Sequence, residues 1–197
     1  MARAIVFGEI ENIEEGHYFS NRKEMMSSSF HRNHGQGIDG NGKEGTAAIV
    51  LSGGYEDDED FGDEIIYTGM GGQKSGIQVE DQSWDTFGNA GLLYSMNQGL
   101  PVRVARGHQH ASQFSPDIGY CYGGLFSVER AWDQVGISGF KMCRFRLIYS
   151  DDNDSRKFSK DDEFKPNRNP SKRREGTVLR IVRDTNISRN IKKLYSY

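Results

Sequence analysis

The sequence has only two cysteines, Cys121 and Cys143, and no C-x-x-C pair. This excludes a disulfide framework and a zinc knuckle, and reduced thiols in a cytosolic protein are the simplest interpretation. No apolar run approaches the roughly 18 residues that a membrane span needs, and the N-terminal stretch has no apolar run of signal-peptide length. We therefore expect a soluble chain that is not exported.

Basic residues are scarce in the first 150 positions. Residues 1–150 carry 12 Lys and Arg against 20 Asp and Glu, a net charge of −8, whereas residues 165–197 carry 10 against 2, a net charge of +8. Charge alone speaks against nucleic-acid binding by the first part, because counterion release requires Lys and Arg at the phosphates.

Long helical patterns are also scarce, and hydrophobic residues make up only 35% of the chain. Short apolar runs predict strands within residues 45–54, 63–69, 100–107, 122–132 and 140–150. The best helix candidate lies within residues 81–99, with Asn89 or Asp85 as its cap, and a weaker one lies at residues 21–28. We expect an α+β fold in which a curled β-barrel packs against one or two helices.

The strand at residues 100–107 alternates apolar and basic residues, which places Arg103 and Arg106 on a solvent-exposed face. After Tyr149 the composition becomes highly charged and almost free of apolar residues. We therefore expect one domain over residues 1–150, a charged linker over 151–175 and a basic segment over 176–197.

The segment between residues 55 and 67 raises a question of function. Seven carboxylates stand between Glu56 and Glu64, and Tyr55 and Tyr67 flank them. An EF-hand alignment fails because it puts Phe61 at the fifth ligand position, so no metal site is predicted. A solvated hairpin loop and a pocket for cytosine both stay open.

No catalytic arrangement is recognisable. The letters HRNH at residues 31–34 are too close together for an HNH nuclease, and HQH at residues 108–110 has no third metal ligand. The chain also has no nucleophile elbow, no P-loop and no plausible acid/base carboxylate pair. We predict no catalytic residue, no metal and no cofactor.

Six segments, in order, resemble the SRA domain, also called the YDG domain, which reads modified cytosine in DNA. They are FGEIENIEEGHYFSNRKEM, HRNHGQGIDG, AAIVLSGGYEDDEDFGDEIIYTGMGG, VEDQSWDTFGNAGLLYS, LPVRVARG and YCYGGLFSVERAW…GFKMCRFRL. The resemblance spans residues 7 to about 149. It implies an SRA/PUA-like barrel that binds double-stranded DNA by flipping a 5-methylcytosine, or a 5-hydroxymethylcytosine, into an aromatic pocket.

The resemblance also implies roles for individual residues. Tyr55 and Tyr67 sandwich the base, Asp58 reads its Watson–Crick edge, and Gly37 belongs to a thumb that enters the duplex. The remaining pocket residues are Ser52, Gly54 and Thr68. The expected groove and backbone contacts are His31, Arg32, His34, Gln36, Lys74, Ile77, Gln78, Arg103 and Arg106.

Two departures from the family pattern are visible. The triplet behind the name YDG is Tyr122-Gly123-Gly124 here, without its aspartate, and residues 72–81 form a shorter segment than in the mammalian reader of hemimethylated DNA. Preference for hemimethylated sites is therefore not inferred.

The C-terminal letters NISRNIKKLYSY resemble the segment that leads into the HNH domain of bacterial SRA–HNH proteins. We therefore expect the recognition module of a modification-dependent HNH restriction endonuclease, an epigenetic reader in the bacterial cytoplasm whose parent acts as a homodimer. Two alternatives stay open: a protein-interaction barrel that uses its acidic loop, and an enzyme that acts on a flipped base.

Overall fold

The structure is a computed structural model that describes residues 4–150. The predicted linker 151–175 and basic segment 176–197 lie outside the described residues. The elements, in chain order, are β1 (Tyr18–Phe19), α1 (Arg22–Ser27), β2 (Ile38–Asn41), β3 (Gly45–Leu51), β4 (Glu59–Asp60), β5 (Glu64–Thr68), β6 (Gln73–Lys74), β7 (Ile77–Gln78), α2 (Phe87–Gln98), β8 (Val102–Gly107), β9 (Tyr120–Val135) and β10 (Lys141–Tyr149).

Eight of these strands form one sheet. The hydrogen-bonded path is β2-β3-β8-β9-β10-β5-β4, with β1 added beside β9, and β6 and β7 form a separate hairpin. Only β3 and β8 run parallel; the other pairs are antiparallel. The path has two ends, so the sheet does not close by hydrogen bonding.

The sheet nevertheless curls, because residues near its two ends come together. A Cβ built on Gly37, just before β2, would lie 2.8 Å from the hydroxyl oxygen of Tyr67 on β5. The fold is therefore the predicted α+β type, with mostly strands and two helices, and its barrel is a curled open sheet.

The centre of the sheet is covered on both sides. All seven residues of β3 are buried, and alternate residues enter two different clusters: Ile49 packs with Leu92 of α2, while Val50 packs with Phe30. A strand that is buried on both faces appears in sequence as a continuous apolar run, which explains the letters AAIVL.

The same double coverage corrects the prediction for Arg103 and Arg106. Arg103 is 1% exposed and donates hydrogen bonds to backbone carbonyls, with Phe30 and Gly8 among the acceptors. Arg106 is 5% exposed and binds Asp60. The solvent-exposed face predicted for these arginines is wrong, because β8 is an interior strand whose cations are satisfied inside the protein.

Both predicted helices are present. Asn21 caps α1 with its side chain, and α2 ends at Gly99, whose φ of 65° is in the left-handed region. The N-cap of α2 is Thr86, so the capping role predicted for Asn89 or Asp85 is wrong. Neither helix within residues 4–150 has the length and apolar character needed to cross a membrane.

Candidate functional site

The acidic segment joins two strands that are not neighbours. β8, β9 and β10 lie between β3 and β5 in the sheet, and the segment contributes β4, which pairs with β5. The interpretation as a solvated hairpin loop is therefore wrong. The segment instead carries the chain from one part of the sheet to another.

Most carboxylates of this segment bind groups of the same chain. Besides Asp58, the pairs are Asp57 with the N–H of Ile137 (2.9 Å), Glu59 with Arg144 (3.0 Å), Asp60 with Arg106 (2.8 Å) and Glu64 with Arg146 (3.1 Å). Across residues 4–150, no group of three or more His, Cys, Asp or Glu side chains is arranged to hold a metal ion. The negative charge of the segment is thus largely compensated by arginines and backbone N–H groups.

Asp58, like Asp57, accepts a hydrogen bond from a neutral group, whereas Glu59, Asp60 and Glu64 pair with arginines. The Asp58 Oδ1 accepts a hydrogen bond of 2.7 Å from the N–H of Thr68, and the nearby Thr68 hydroxyl also favours the ionised carboxylate. Burial raises the pKa of Asp58 to about 7, although Thr68 and the charge of Arg144 act in the opposite direction. Asp58 keeps some accessible surface while protein atoms surround its carboxylate, as expected for a group at the bottom of a recess.

The two tyrosines lie next to this carboxylate. Burial raises the pKa of Tyr67 well above its usual value, and the nearby Asp58 and Tyr55 raise it further. Tyr67 is 3% exposed and belongs to the main core cluster, whereas Tyr55 is half-buried. A base that stacks on Tyr67 must therefore enter a recess that is nearly closed in this structure.

The hydroxyl oxygen of Tyr55 is held by the backbone that follows β5. It accepts a hydrogen bond of 3.1 Å from the N–H of Gly71. Residues 69–71 are in turn held by two buried amides: Asn89 both accepts from and donates to Met70, and Gln82 donates to Gly69 at 2.6 Å. Sequence analysis missed these two amides, since nothing in the local pattern distinguishes them from surface polar residues.

The loop that precedes β2 forms the wall next to Tyr67. Gly37 lies against the Tyr67 hydroxyl, where any larger side chain would collide. Arg22 of α1 holds this loop by donating to the carbonyls of Asn33 (2.8 Å) and Gln36. Arg22 was also missed in the sequence, because its targets are backbone atoms 11 and 14 residues away.

His31, in the same loop, is not an exposed cation. It is 0% exposed, and burial, together with the charge of Arg22, lowers its pKa to about 4. The groove or backbone contact predicted for His31 is therefore wrong, because the ring is neutral at physiological pH and packed inside the loop.

The other predicted contact residues fall into two groups. The side chains of His34, Lys74 and Ile77 are exposed, and those of Arg32 and Gln36 are partly exposed, with Arg32 bound to Asp39 at 2.8 Å. Gln78 is only 9% exposed and donates to the carbonyls of Gly71 and Glu80, so it supports the backbone next to the site. Together with His31, Arg103 and Arg106, it is not available on the surface.

A cavity lies beside Tyr55. Its volume is about 280 Å³, and it is lined by Tyr55, Gly54 and residues of the β6–β7 and β9–β10 turns, but neither by Asp58 nor by Tyr67. Gly54 also accepts a hydrogen bond from Gln73, and Ser52 is half-buried close by in sequence. Tyr55 is therefore the one residue that lines this cavity among the three predicted to hold the base.

Comparison with known proteins gives a consistent family assignment. The family model described as the SAD/SRA domain matches residues 6–153. A UHRF1-like protein of Cryptococcus neoformans var. grubii is 37% identical over 159 residues, which cover 74% of this chain and 46% of that protein. The chain thus spans less than half of the length of that relative.

Solved structures agree with this assignment. A modification-dependent TagI restriction endonuclease matches with a TM-score of 0.74 and 44% identity over 76% of this chain and 54% of that one. The SUVH5 SRA domain in complex with fully methylated CG DNA matches with a TM-score of 0.61 and 35% identity over 74% and 94%. The same domain bound to fully hydroxymethylated CG DNA gives 0.63 and 34%, with the same coverage.

Proposed function

The chain belongs to the SAD/SRA domain family, and from that premise we propose that it binds double-stranded DNA containing 5-methylcytosine by flipping the modified base into the recess between Tyr55 and Tyr67. The observation that carries this proposal is the position of Asp58. Its carboxylate lies beside both tyrosines and accepts a hydrogen bond from the N–H of Thr68.

The two tyrosines offset the cost of extruding the base. Stacking on an aromatic ring contributes on the order of 1–3 kcal/mol per base, against a flipping cost of a few kcal/mol. Because Tyr67 is buried and Tyr55 is half-buried, the base enters beside Tyr55, and the groups that cover the Tyr67 ring move to admit it. Gly37 leaves the space beside the Tyr67 hydroxyl that the thumb loop needs.

Asp58 selects cytosine by its exocyclic amine. An ionised carboxylate only accepts hydrogen bonds, so it matches the amino group at position 4 of cytosine and repels the oxygen at that position of thymine. Ser52, Gly54 and Thr68 form the rest of the wall. The methyl group adds roughly 0.8 kcal/mol on burial, so discrimination against unmodified cytosine is modest.

Phosphate contacts come from a small set of exposed side chains. Lys74, His34 and Gln36 are accessible, and Arg32 is partly accessible beside its partner Asp39. Ile77, 68% exposed on the β6–β7 hairpin, provides an apolar contact to the duplex. Few cations are involved, so the dependence on salt is shallower than for proteins that make six to ten phosphate contacts.

The likeness to the TagI endonuclease supports a wider role. The chain covers 54% of that restriction endonuclease. We propose that residues 4–150 are the recognition module of a modification-dependent HNH restriction endonuclease that acts as a homodimer in the bacterial cytoplasm. The cleavage activity then resides outside the described residues.

Binding to matched duplexes tests the proposal. Three duplexes of identical sequence carry cytosine, 5-methylcytosine or 5-hydroxymethylcytosine at one position, and fluorescence anisotropy measures Kd for the wild-type chain and for Asp58→Ala. Wild type binds the 5-methylcytosine duplex more tightly than the cytosine duplex, and Asp58→Ala weakens binding to both, because the amino group that Asp58 contacts is common to the two bases. Glu56→Ala is the matched control, because Glu56 is an exposed carboxylate of the same segment.

The alternatives predict other results. A protein-interaction barrel shows no measurable affinity for any of the three duplexes. An enzyme that acts on a flipped base depletes the modified base during incubation, which mass spectrometry of the recovered DNA detects. Either result overturns the reader function.

A further inference from the structure

We propose that Arg144 is a positioning residue that acts on Asp58 through the Thr68 hydroxyl and thereby sets the preference of the site for cytosine over thymine. The proposal rests on the proposed function, because it concerns how the same recess discriminates between bases. Arg144 itself is 2% exposed.

We call the path from Arg144 through Thr68 to Asp58 the relay, and its first contact depends on the register of the sheet. Arg144 on β10 stands directly opposite Thr68 on β5. Its Nη1 donates to the Thr68 Oγ1 at 2.7 Å, and its Nη2 donates to Glu59 at 3.0 Å. Because the Thr68 oxygen accepts from the guanidinium, the single hydroxyl hydrogen remains free to donate to Asp58.

In this relay Thr68 offers two donors to one carboxylate: its backbone N–H, which lies 2.7 Å from Oδ1, and its hydroxyl, which is close enough to favour the ionised form. Both donors favour the ionised form of Asp58, and the positive charge of Arg144 favours it further. The opposing influences are burial and the charge of Asp57, while the neighbouring Tyr55 and Tyr67 have raised pKa values and stay uncharged near neutral pH. Burial alone raises the pKa more than the relay lowers it, so Asp58 titrates near neutral pH.

The protonation state of Asp58 determines which base fits. Thymine and 5-methylcytosine carry the same methyl group and differ in the edge that Asp58 meets. A carboxylate accepts from the cytosine amine and repels the thymine O4, whereas a neutral carboxyl group donates to O4 and tolerates thymine. A relay that keeps Asp58 ionised therefore protects the preference for cytosine.

The test compares a 5-methylcytosine·G duplex with a T·G duplex of the same sequence between pH 5.5 and 8.5. In the wild-type chain the affinity ratio in favour of 5-methylcytosine rises with pH through about 7, the pKa of Asp58. In Arg144→Gln the rise moves to higher pH by about one pH unit, so the ratio near pH 7 falls roughly fivefold to tenfold. Arg144→Lys keeps the charge and restores part of the wild-type profile.

Arg146→Gln is the matched control. Arg146 lies two residues further along β10 and pairs with Glu64 and Glu129, without contact to Thr68. The affinity ratio of Arg146→Gln should therefore depend on pH in the same way as that of the wild type. Carbon-detected NMR titration of the Asp58 carboxyl group gives a readout without DNA, and its midpoint also rises in Arg144→Gln.

The outcomes separate the two proposals. If wild type binds neither duplex, the reader function fails. If wild type discriminates and Arg144→Gln keeps both its pH profile and its Asp58 titration, the relay is refuted while the reader function stands. Should Arg144→Gln fail to fold by circular dichroism, Thr68→Val carries the same prediction, because it removes the hydroxyl and keeps the backbone N–H; an unchanged profile in that variant refutes the relay.

Discussion

Asp58 and Asp60 are two carboxylates of one acidic segment, separated by one residue, and their surroundings differ sharply. Asp60 is fully buried and binds the guanidinium of Arg106 through two oxygens, at 2.8 and 3.0 Å. Within residues 4–150 Asp58 has no direct cationic partner, and burial raises the pKa of its carboxyl group to about 7. A fully paired carboxylate holds the segment in place, whereas a carboxylate without a cation retains the capacity to bind a ligand.

Asp60→Ala gives the largest expected effect on stability. The substitution leaves the buried Arg106 without its charge partner, which costs about 3–5 kcal/mol. Urea unfolding followed by circular dichroism measures the change, and Asp58→Ala is the comparison. Equal destabilisation by the two substitutions would remove the distinction between a structural and a binding carboxylate.

Asp58→Asn tests the role of Asp58 in DNA binding, separately from its effect on stability. The amide presents a donor where the carboxylate accepted, so the contact to the cytosine amine becomes unfavourable, at a cost of about 2–3 kcal/mol in binding, or 30-fold to 150-fold in Kd. Anisotropy titration with 5-methylcytosine DNA measures this loss. Unfolding stability at pH 7 should not decrease, and retained binding would contradict the role of Asp58.

The pH dependence of stability gives an intermediate effect. The pKa of Asp58 is higher in the folded chain than its ordinary value of 3.8, so between these values the folded state holds more protons than the unfolded state. Asp58 therefore makes the chain less stable as pH rises from about 4 to 7, with a contribution of at most about 1.4 kcal/mol per pH unit. Urea unfolding at several pH values should show a weaker decline in Asp58→Asn; identical curves would argue against the raised pKa.

Gly37→Ala tests the wall of the recess and has the smallest expected effect. The new Cβ would lie 2.8 Å from the Tyr67 hydroxyl, so the loop or the ring must shift, and binding weakens by about 1 kcal/mol. Gly35→Ala is the control, since its Cβ would meet no atom closer than 3.7 Å. If both variants bind like wild type, the thumb loop does not position the base.

The strands could be predicted because their patterns are local. The runs at residues 45–51 and 64–68 contain enough β-branched residues to identify β3 and β5. The burial of Arg103 could not be predicted, because it depends on cover from carbonyls almost a hundred positions earlier in the chain. Alternation within a strand shows that its two faces differ, but not that one of them is open to solvent.

The candidate site could be proposed from the sequence only through the family resemblance. Composition does not distinguish Asp58 from Asp60, since both belong to the same acidic run and their different partners come from β5 and β8. The roles of Tyr55, Tyr67 and Asp58 in binding stay predictions that the proposed experiments test. The supporting residues Arg22, Gln82 and Asn89 act on backbone atoms, which leave no trace in the spacing of the sequence.

The bond between Arg144 and Thr68 joins positions 76 residues apart. Thr68 is synthesised well before Arg144, which lies on β10, the last strand in the described part of the chain. The contact to Thr68 can therefore form only after β10 has been synthesised. A chain truncated before Lys141 therefore contains Tyr55, Tyr67 and the acidic segment but lacks Arg144. Under the proposed relay, discrimination between bases requires β10, so a fragment that ends before Lys141 should not distinguish 5-methylcytosine from thymine.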